Sequence, residues 1–357
     1  MTAATREIYF IIFFTGAFAL SNLLTRAVRK IAEHYDIADY PDLPRKIHET
    51  PRPKLGGLAV FFTFVIGVVL LAAAAGISEV SAAKIAGVVL GGLILVIGGI
   101  LDDKYDLHAK HQIWFPVAAS LLVVLSGTHI SYITSPFGGD IILDQYKIGG
   151  YPLFGSLLVF AWILGLTYTT KFLDGMDGLT TGISAIAGLV IFGVSLSPEV
   201  NQTTTALLAL IFAGAALGFL PFNFFPAKIF LGEGGSTFTG FLIAALAVIS
   251  GAKIATALLV LGIPVLDAAW VIVQRLLSKG SPFRGDNKHL HYRLLDIGLT
   301  QRQAVALLYF LSAVFGFVAV FLQSLGKLVA LGVLSSVMVI TVITIAIIYR
   351  NKQNETN

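Results

Sequence analysis

The sequence predicts an all-α, polytopic membrane protein. Of its 357 residues, 56% are hydrophobic and only 12% are charged. The mean hydropathy is +0.86, and the apolar residues come in long runs. A soluble domain carries about 25% charged residues. With no cysteine in the chain, disulfides and thiolate metal sites are excluded. No internal repeat, low-complexity segment or separate soluble domain is visible, so residues 1–357 read as one integral-membrane domain.

A spanning helix needs about 20 mostly apolar residues. Eleven segments qualify, near 8–25, 55–77, 83–101, 113–131, 152–170, 179–197, 202–221, 235–251, 254–274, 303–325 and 328–349. The first imitates a signal peptide, with Arg6, an apolar run and Ala17-Phe18-Ala19. Its apolar run continues to Leu24 and ends in Arg26, Arg29 and Lys30. That favours a first transmembrane helix with its C-terminal end in the cytoplasm. The last segment is the clearest, with no charge between Lys327 and Arg350.

Orientation follows from the basic residues. With the N-terminus outside and the C-terminus cytoplasmic, 19 of the 24 Lys and Arg fall on the cytoplasmic side. Arg6, Lys84, Lys147, Lys253 and Lys327 fall on the other. The cytoplasmic loops are then about 30–54, 102–112, 171–178, 222–234 and 275–302, and they carry every polar motif. The opposite loops are short or bland. The formal charge of +4 is small, and nothing points to nucleic acid.

Each motif has a functional and a plain reading. Asp102 and Asp103 are neighbouring carboxylates at a helix end. They repel unless a cation lies between them, and low dielectric sharpens the penalty; the plain reading is a solvated helix terminus. Asp174 and Asp177 stand three apart in "KFLDGMDGL", so on a helical turn they share a face. A polar turn between two spans is the alternative, but one Asp-Gly pair suffices for a turn. Glu233 sits among glycines in "FLGEGGS", where backbone beside a helix start can cradle phosphate or simply form a loop. Asn223 is a donor toward phosphate or sugar, or a helix cap. His289 and His291 stand two apart, flanked by Lys288 and Arg293. That is not the helical metal spacing; on an extended segment both point the same way, as an anion grip or as an ordinary basic loop. Together the five acids and a basic cluster (Arg45, Lys46, His48, Lys288, His289, His291, Arg293) make up the parts of a phosphoryl-transfer site. A site at the membrane surface points to a lipid substrate.

These motifs in this order, from "PRKIHETPRPKLGGLAVF" through "GGILDDKYDL", "LDGMDGLTTGI" and "PFNFFPAKIFLGEGGSTFTGF" to "NKHLHYRLLD", resemble the polyprenyl-phosphate N-acetylhexosamine-1-phosphate transferases. The "RKIH" and "H-L-H" blocks are closer to the WecA/TagO-like branch than to the related MraY type. The resemblance implies a multi-pass enzyme of the bacterial cytoplasmic membrane whose active site faces the cytoplasm. It would be Mg2+-dependent, with Mn2+ as an alternative ion. It would transfer a sugar-1-phosphate, GlcNAc-1-phosphate foremost, from a UDP-N-acetylhexosamine to polyprenyl (undecaprenyl) phosphate and release UMP. This is the first membrane step of an envelope glycan, lipopolysaccharide or teichoic acid. A homodimer is one assembly to expect.

By similarity, Asp102 and Asp103 handle the lipid phosphate and metal, and Asp174 and Asp177 line the nucleotide-sugar site and support catalysis. Glu233, with Asp177, takes the metal. Lys46, His48, Lys171, Asn223, Lys288, His289, His291 and Arg293 bind substrate. The chain departs from the pattern at Glu233, usually Asp, and at Lys171 and Tyr168, usually Asn. It departs again at Gln112, where Lys is common, and at Tyr292, where a third His is common. A secondary transporter is the rival class, although its ionisable residues belong near span centres. Here only Asp267 lies well inside a span, where it is structural, paired with Arg275 or backbone donors, or shapes a lipid groove. An intramembrane aspartyl protease and a catalytically inactive family member are the remaining readings.

Overall fold

The computed structural model describes residues 3–41, 50–75, 79–135, 139–251, 254–277, 289–322 and 324–356. Their order is α1 (Ala3–His34), β1 (Ala38–Asp39), β2 (Arg52–Pro53), α2 (Gly56–Ala75), α3 (Ala82–Tyr105), α4 (Ala109–Gln112) and α5 (Trp114–Leu125). Then come β3 (Tyr132–Thr134), β4 (Asp140–Ile142), β5 (Lys147–Ile148), β6 (Tyr151–Pro152), α6 (Leu153–Leu173), α7 (Leu179–Ser195), α8 (Thr203–Asn223) and α9 (Gly232–Ile249). The chain finishes with α10 (Ile254–Val260), α11 (Gly262–Leu277), α12 (Leu290–Asp296), α13 (Gln301–Phe321) and α14 (Ser324–Thr356). Among the described residues the strands form three two-stranded antiparallel ribbons, and the rest of the architecture is a helical bundle.

Among the described residues, seven helices are long and apolar enough to cross a membrane. α10 and α11 make an eighth candidate, broken by an 82° bend. The other three expected segments coincide with α5, α7 and the apolar part of α14, which are shorter apolar helices. Every expected segment is thus a helix, though not every one has full spanning length.

The apolar windows of α9 and α8 are 83% and 78% buried, against 22% for α1. These two helices therefore form the centre. α9 packs on α3 and α6, and α8 on α1 and α7. The outer helices turn large apolar side chains outward, among them Val69, Leu70, Phe310, Phe317 and Phe321. In a soluble protein such a girdle would drive aggregation; in a bilayer it meets lipid.

Glycines set how closely the central helices approach. A Cβ on Gly99 would fall 2.0 Å from the Gly234 backbone nitrogen, and one on Gly57 2.2 Å from the Gly235 Cα. Small residues let helix backbones meet where lipid supplies no hydrophobic drive. Two glycines of the "GEGG" stretch are thus taken up in helix crossings with α3 and α2.

Candidate active site

The polar ends of α3, α6 and α8 and the start of α9 converge at one end of the bundle. They surround a cavity of about 600 Å³, the size of a cofactor or nucleotide pocket. All five acids expected from the sequence line it: Asp102, Asp103, Asp174, Asp177 and Glu233.

Each acid is positioned by local structure. Asp102 Oδ1 accepts the Leu107 N–H at 3.0 Å and a short hydrogen bond from Gln112 Nε2. Asp103 Oδ2 accepts the Glu233 N–H at 3.0 Å, which ties α3 to the first turn of α9. Gly232 makes this approach with φ +78°, and a Cβ there would lie 2.6 Å from Asp103 Oδ2. Lys54 stands 3.8 Å from Asp103 and 3.3 Å from Asp39. Glu233 Oε1 is 2.6 Å from Lys171 Nζ. Asp177 Oδ2 accepts the Ala227 N–H at 2.8 Å.

Asp174 and Asp177 do not share a helical turn. α6 ends at Leu173 with Asp174 as its C-cap, and α7 starts at Leu179. The pair lies in the turn between them, because the two Asp-Gly steps break the helix there. Burial pushes Asp174 up to about 7, and the negative charges of Glu233 and Asp177 act in the same direction.

The histidines also differ from an extended pair. His289 is the N-cap of α12, so the segment turns into a helix at once. The two rings still stack, with centroids 5.7 Å apart and planes 5° from parallel. His289 lines the cavity, whereas His291 is buried behind it. The His291 Nε2 would lie 2.4 Å from a Cβ on Gly175, so the first glycine of "DGMDG" makes room for it. Burial lowers His291 to about 4, which keeps it neutral. Arg293 is half-buried in α12 and is not among the residues lining the cavity.

Asp267 belongs to this site. Its Oδ2 lies 2.8 Å from His289 Nδ1, and its Oδ1 accepts the Leu290 N–H at 2.8 Å. A backbone donor was among the expected partners; the histidine was not. Asn223 lines the cavity and also braces it: its Oδ1 accepts from the Thr181 hydroxyl at 2.7 Å and its Nδ2 donates to Ile229 O at 3.1 Å. Lys46, His48, Lys288 and Arg45 lie outside the described residues.

The donor set suits a hard divalent ion, since carboxylate oxygens from α9 and the α6–α7 turn face one cavity. Among the described residues no three His, Asp or Glu side chains form a closed ligand cage. Mg2+ commonly takes one or two carboxylates and completes its shell with water and substrate phosphate. Glu233 and Asp177 both line the cavity and are the carboxylates that would hold such an ion.

The profile of glycosyl transferase family 4 matches residues 85–251. A probable undecaprenyl-phosphate N-acetylglucosaminyl 1-phosphate transferase of Bacillus subtilis is 32% identical over 310 residues, covering 85% of this chain and 82% of that protein. The chain belongs to the polyprenyl-phosphate hexosamine-1-phosphate transferase family. A decaprenyl-phosphate N-acetylglucosaminephosphotransferase of Mycobacterium tuberculosis is 33% identical, over 80% of this chain and 75% of its own length. An undecaprenyl-phosphate alpha-N-acetylglucosaminyl 1-phosphate transferase of Thermotoga maritima is 30% identical, over 76% and 78%. The profile takes in all five acids and Asn223 but ends before His289.

For this transferase, sequence reasoning missed the cavity residues Asp39, Lys54, Asp106 and Gln301, and it considered Arg275 only as a partner of Asp267. Lys54 had a visible signal, as a lysine one residue removed, across Leu55, from the glycine pair that opens α2. Asp39 had none, because only the β1–β2 pairing, with Asp39 opposite Arg52, brings it to the site.

Proposed function

We propose that this protein transfers N-acetylglucosamine-1-phosphate from a UDP-sugar to polyprenyl phosphate at the cytoplasmic face of a bacterial inner membrane. The observation that carries this reading is the convergence of five carboxylates with Lys54, Lys171 and His289 around one cavity at the end of an apolar bundle. A lipid phosphate can enter at that level from the membrane, and a nucleotide-sugar from water.

A phosphate oxygen of the lipid attacks the phosphorus that bears the sugar. The bond from that phosphorus to the bridging oxygen breaks, and UMP leaves with the electron pair. Little covalent chemistry falls to the protein; positioning and charge stabilisation dominate. Lys171 and Lys54 bring positive charge to a pocket otherwise rich in carboxylates. Asp267 fixes the ring of His289 through Nδ1, which leaves Nε2 as the ring's other polar atom for a phosphate or sugar oxygen. Glu233 and Asp177 would hold Mg2+, which when bound supplies charge neutralisation at the diphosphate. Asp102 and Asp103 are the acids assigned to the lipid-phosphate side.

The test uses purified protein in detergent with undecaprenyl phosphate, Mg2+ and a panel of radiolabelled UDP-sugars. Label should pass into organic solvent with release of UMP, and UDP-GlcNAc should be the best donor. No transfer from any UDP-N-acetylhexosamine rejects the proposal. Protein-bound sugar-phosphate formed without lipid acceptor would replace direct attack by a two-step route through an aspartate.

A further inference from the structure

Four side chains from four elements form one continuous chain across the cavity. Glu233 Oε1, at the start of α9, meets Lys171 Nζ of α6 at 2.6 Å. The same ammonium donates to Gln112 Oε1 at 2.9 Å. Gln112, the last residue of α4, donates through its Nε2 to Asp102 Oδ1 on α3 and to Leu107 O at 3.1 Å. The amide is thereby oriented, with oxygen toward the cation and nitrogen toward the carboxylate. The ammonium also stands 6.0 Å from the centroid of the Tyr168 ring. The Lys171 and Glu233 side chains are only 21% and 20% exposed, so water screens this pair weakly.

We propose that Lys171 and Gln112 act as one unit that sets a single positive charge between Asp102 and Glu233, and that the charge can be delivered from either position. Lys171 is a positioning residue: it acts through the two carboxylates and fixes their separation and orientation. The side chains meet head to head at 2.9 Å, so exchanging them moves the stem of the cation and keeps its charge between Asp102 and Glu233. This inference rests on the transferase reading for its kinetic consequence but not for its structural one.

The experiment is a double-mutant cycle on the full chain in detergent: Lys171→Asn, Gln112→Lys, and both together. Lys171→Asn removes the charge. Gln112→Lys alone sets two ammonium groups against each other. Each single variant should lower kcat/KM with undecaprenyl phosphate and UDP-GlcNAc at least tenfold, and each should lower the thermal midpoint. The double variant should recover both, to within threefold in kcat/KM and within 1–2 °C in midpoint. Lys171→Arg, which keeps the charge, should retain more activity than Lys171→Asn. Additive losses in the double variant overturn the inference, as does recovery of the midpoint without recovery of kcat/KM. If wild-type protein transfers no sugar, the transferase reading fails instead; the substrate-free midpoint cycle then decides the Lys171–Gln112 unit by itself.

Discussion

Replacing Asp267 by asparagine tests how the histidine face of the site is held. The carboxylate makes two contacts of 2.8 Å, one with His289 Nδ1 and one with the Leu290 N–H. Asparagine can keep its oxygen on the Leu290 N–H. It then offers an NH2 group to His289 Nδ1, which can accept only if the ring proton moves to Nε2. The substitution therefore preserves shape and reverses the tautomer at the cavity. A hydrogen bond involving a charged group contributes about 1.5–3 kcal/mol. If that share is felt in the transition state, turnover falls by about 10–150-fold. The assay is UMP release over a range of UDP-GlcNAc concentrations, with thermal midpoint as the folding control. A lowered kcat with a near-normal midpoint is the expected result. Unchanged kcat would show that Asp267 serves only to anchor the start of α12.

Three further outcomes follow from the geometry. Gly99→Ala drives a Cβ to 2.0 Å from backbone of α9, and such overpacking costs about 1–3 kcal/mol or more. Its midpoint should drop by several degrees with loss of transfer, while Gly165→Ala, with nothing within 4 Å of the new Cβ, should be neutral. Equal midpoints for the two would contradict the close helix crossing. Asp177→Asn keeps an acceptor for the Ala227 N–H but removes charge. It should fold normally and lose at least ~10²-fold in rate; near-normal rate would remove Asp177 from the mechanism. His291 is held neutral, lowered from 6.5 to about 4 by burial, against the pull of Asp267 and aided by His289. The unfolded chain takes up its proton first, so this group contributes stability above 6.5 that is lost as pH falls toward 4, up to ~3 kcal/mol. Relative to wild type, His291→Gln should therefore gain stability progressively through that window, as read from midpoints at successive pH values.

The membrane class was legible because it rests on composition and run length, which no local detail can reverse. The helix content followed from the same runs. The break in α10–α11 was not legible, since Gly262 and Pro264 lie in a segment whose hydropathy alone reads as one span. The acids were legible because carboxylates are rare in this chain and each stands beside a helix end. What escaped was pairing across the bundle. Lys171 reaching Glu233, Asp267 reaching His289 and Asp39 entering the cavity all depend on residues distant in sequence. Their spacing carries no period that a linear reading could find. The glycines were ambiguous for a related reason: the same residue type serves a phosphate loop and a helix crossing, and the crossing of Gly99 on Gly234 is visible only once the neighbouring helix is in place.

The acidic cluster is not there for stability. Buried carboxylates lose hydration that their partners only partly replace, and Asp174, in the turn outside the spans, shows it. Its ionisation is raised from 3.8 to about 7, chiefly by burial. The sign is that of an acid favouring its neutral form in the folded state. Stability is complete below 3.8 and is lost as pH rises through about 7, by up to ~4 kcal/mol. This slope opposes that of His291 over their shared range, so each must be read as a difference between variant and wild type. Asp174→Asn cannot ionise. In the absence of divalent ions its midpoint should exceed that of wild type at pH 8 and converge with it below pH 4. The same variant should lose at least ~10²-fold in turnover if the charge acts on substrate or metal. A more stable but inactive protein is the expected signature of a residue kept for chemistry. If Asp174→Asn is less stable than wild type at pH 8, its carboxylate is instead a structural partner, and the argument from burial fails at this position.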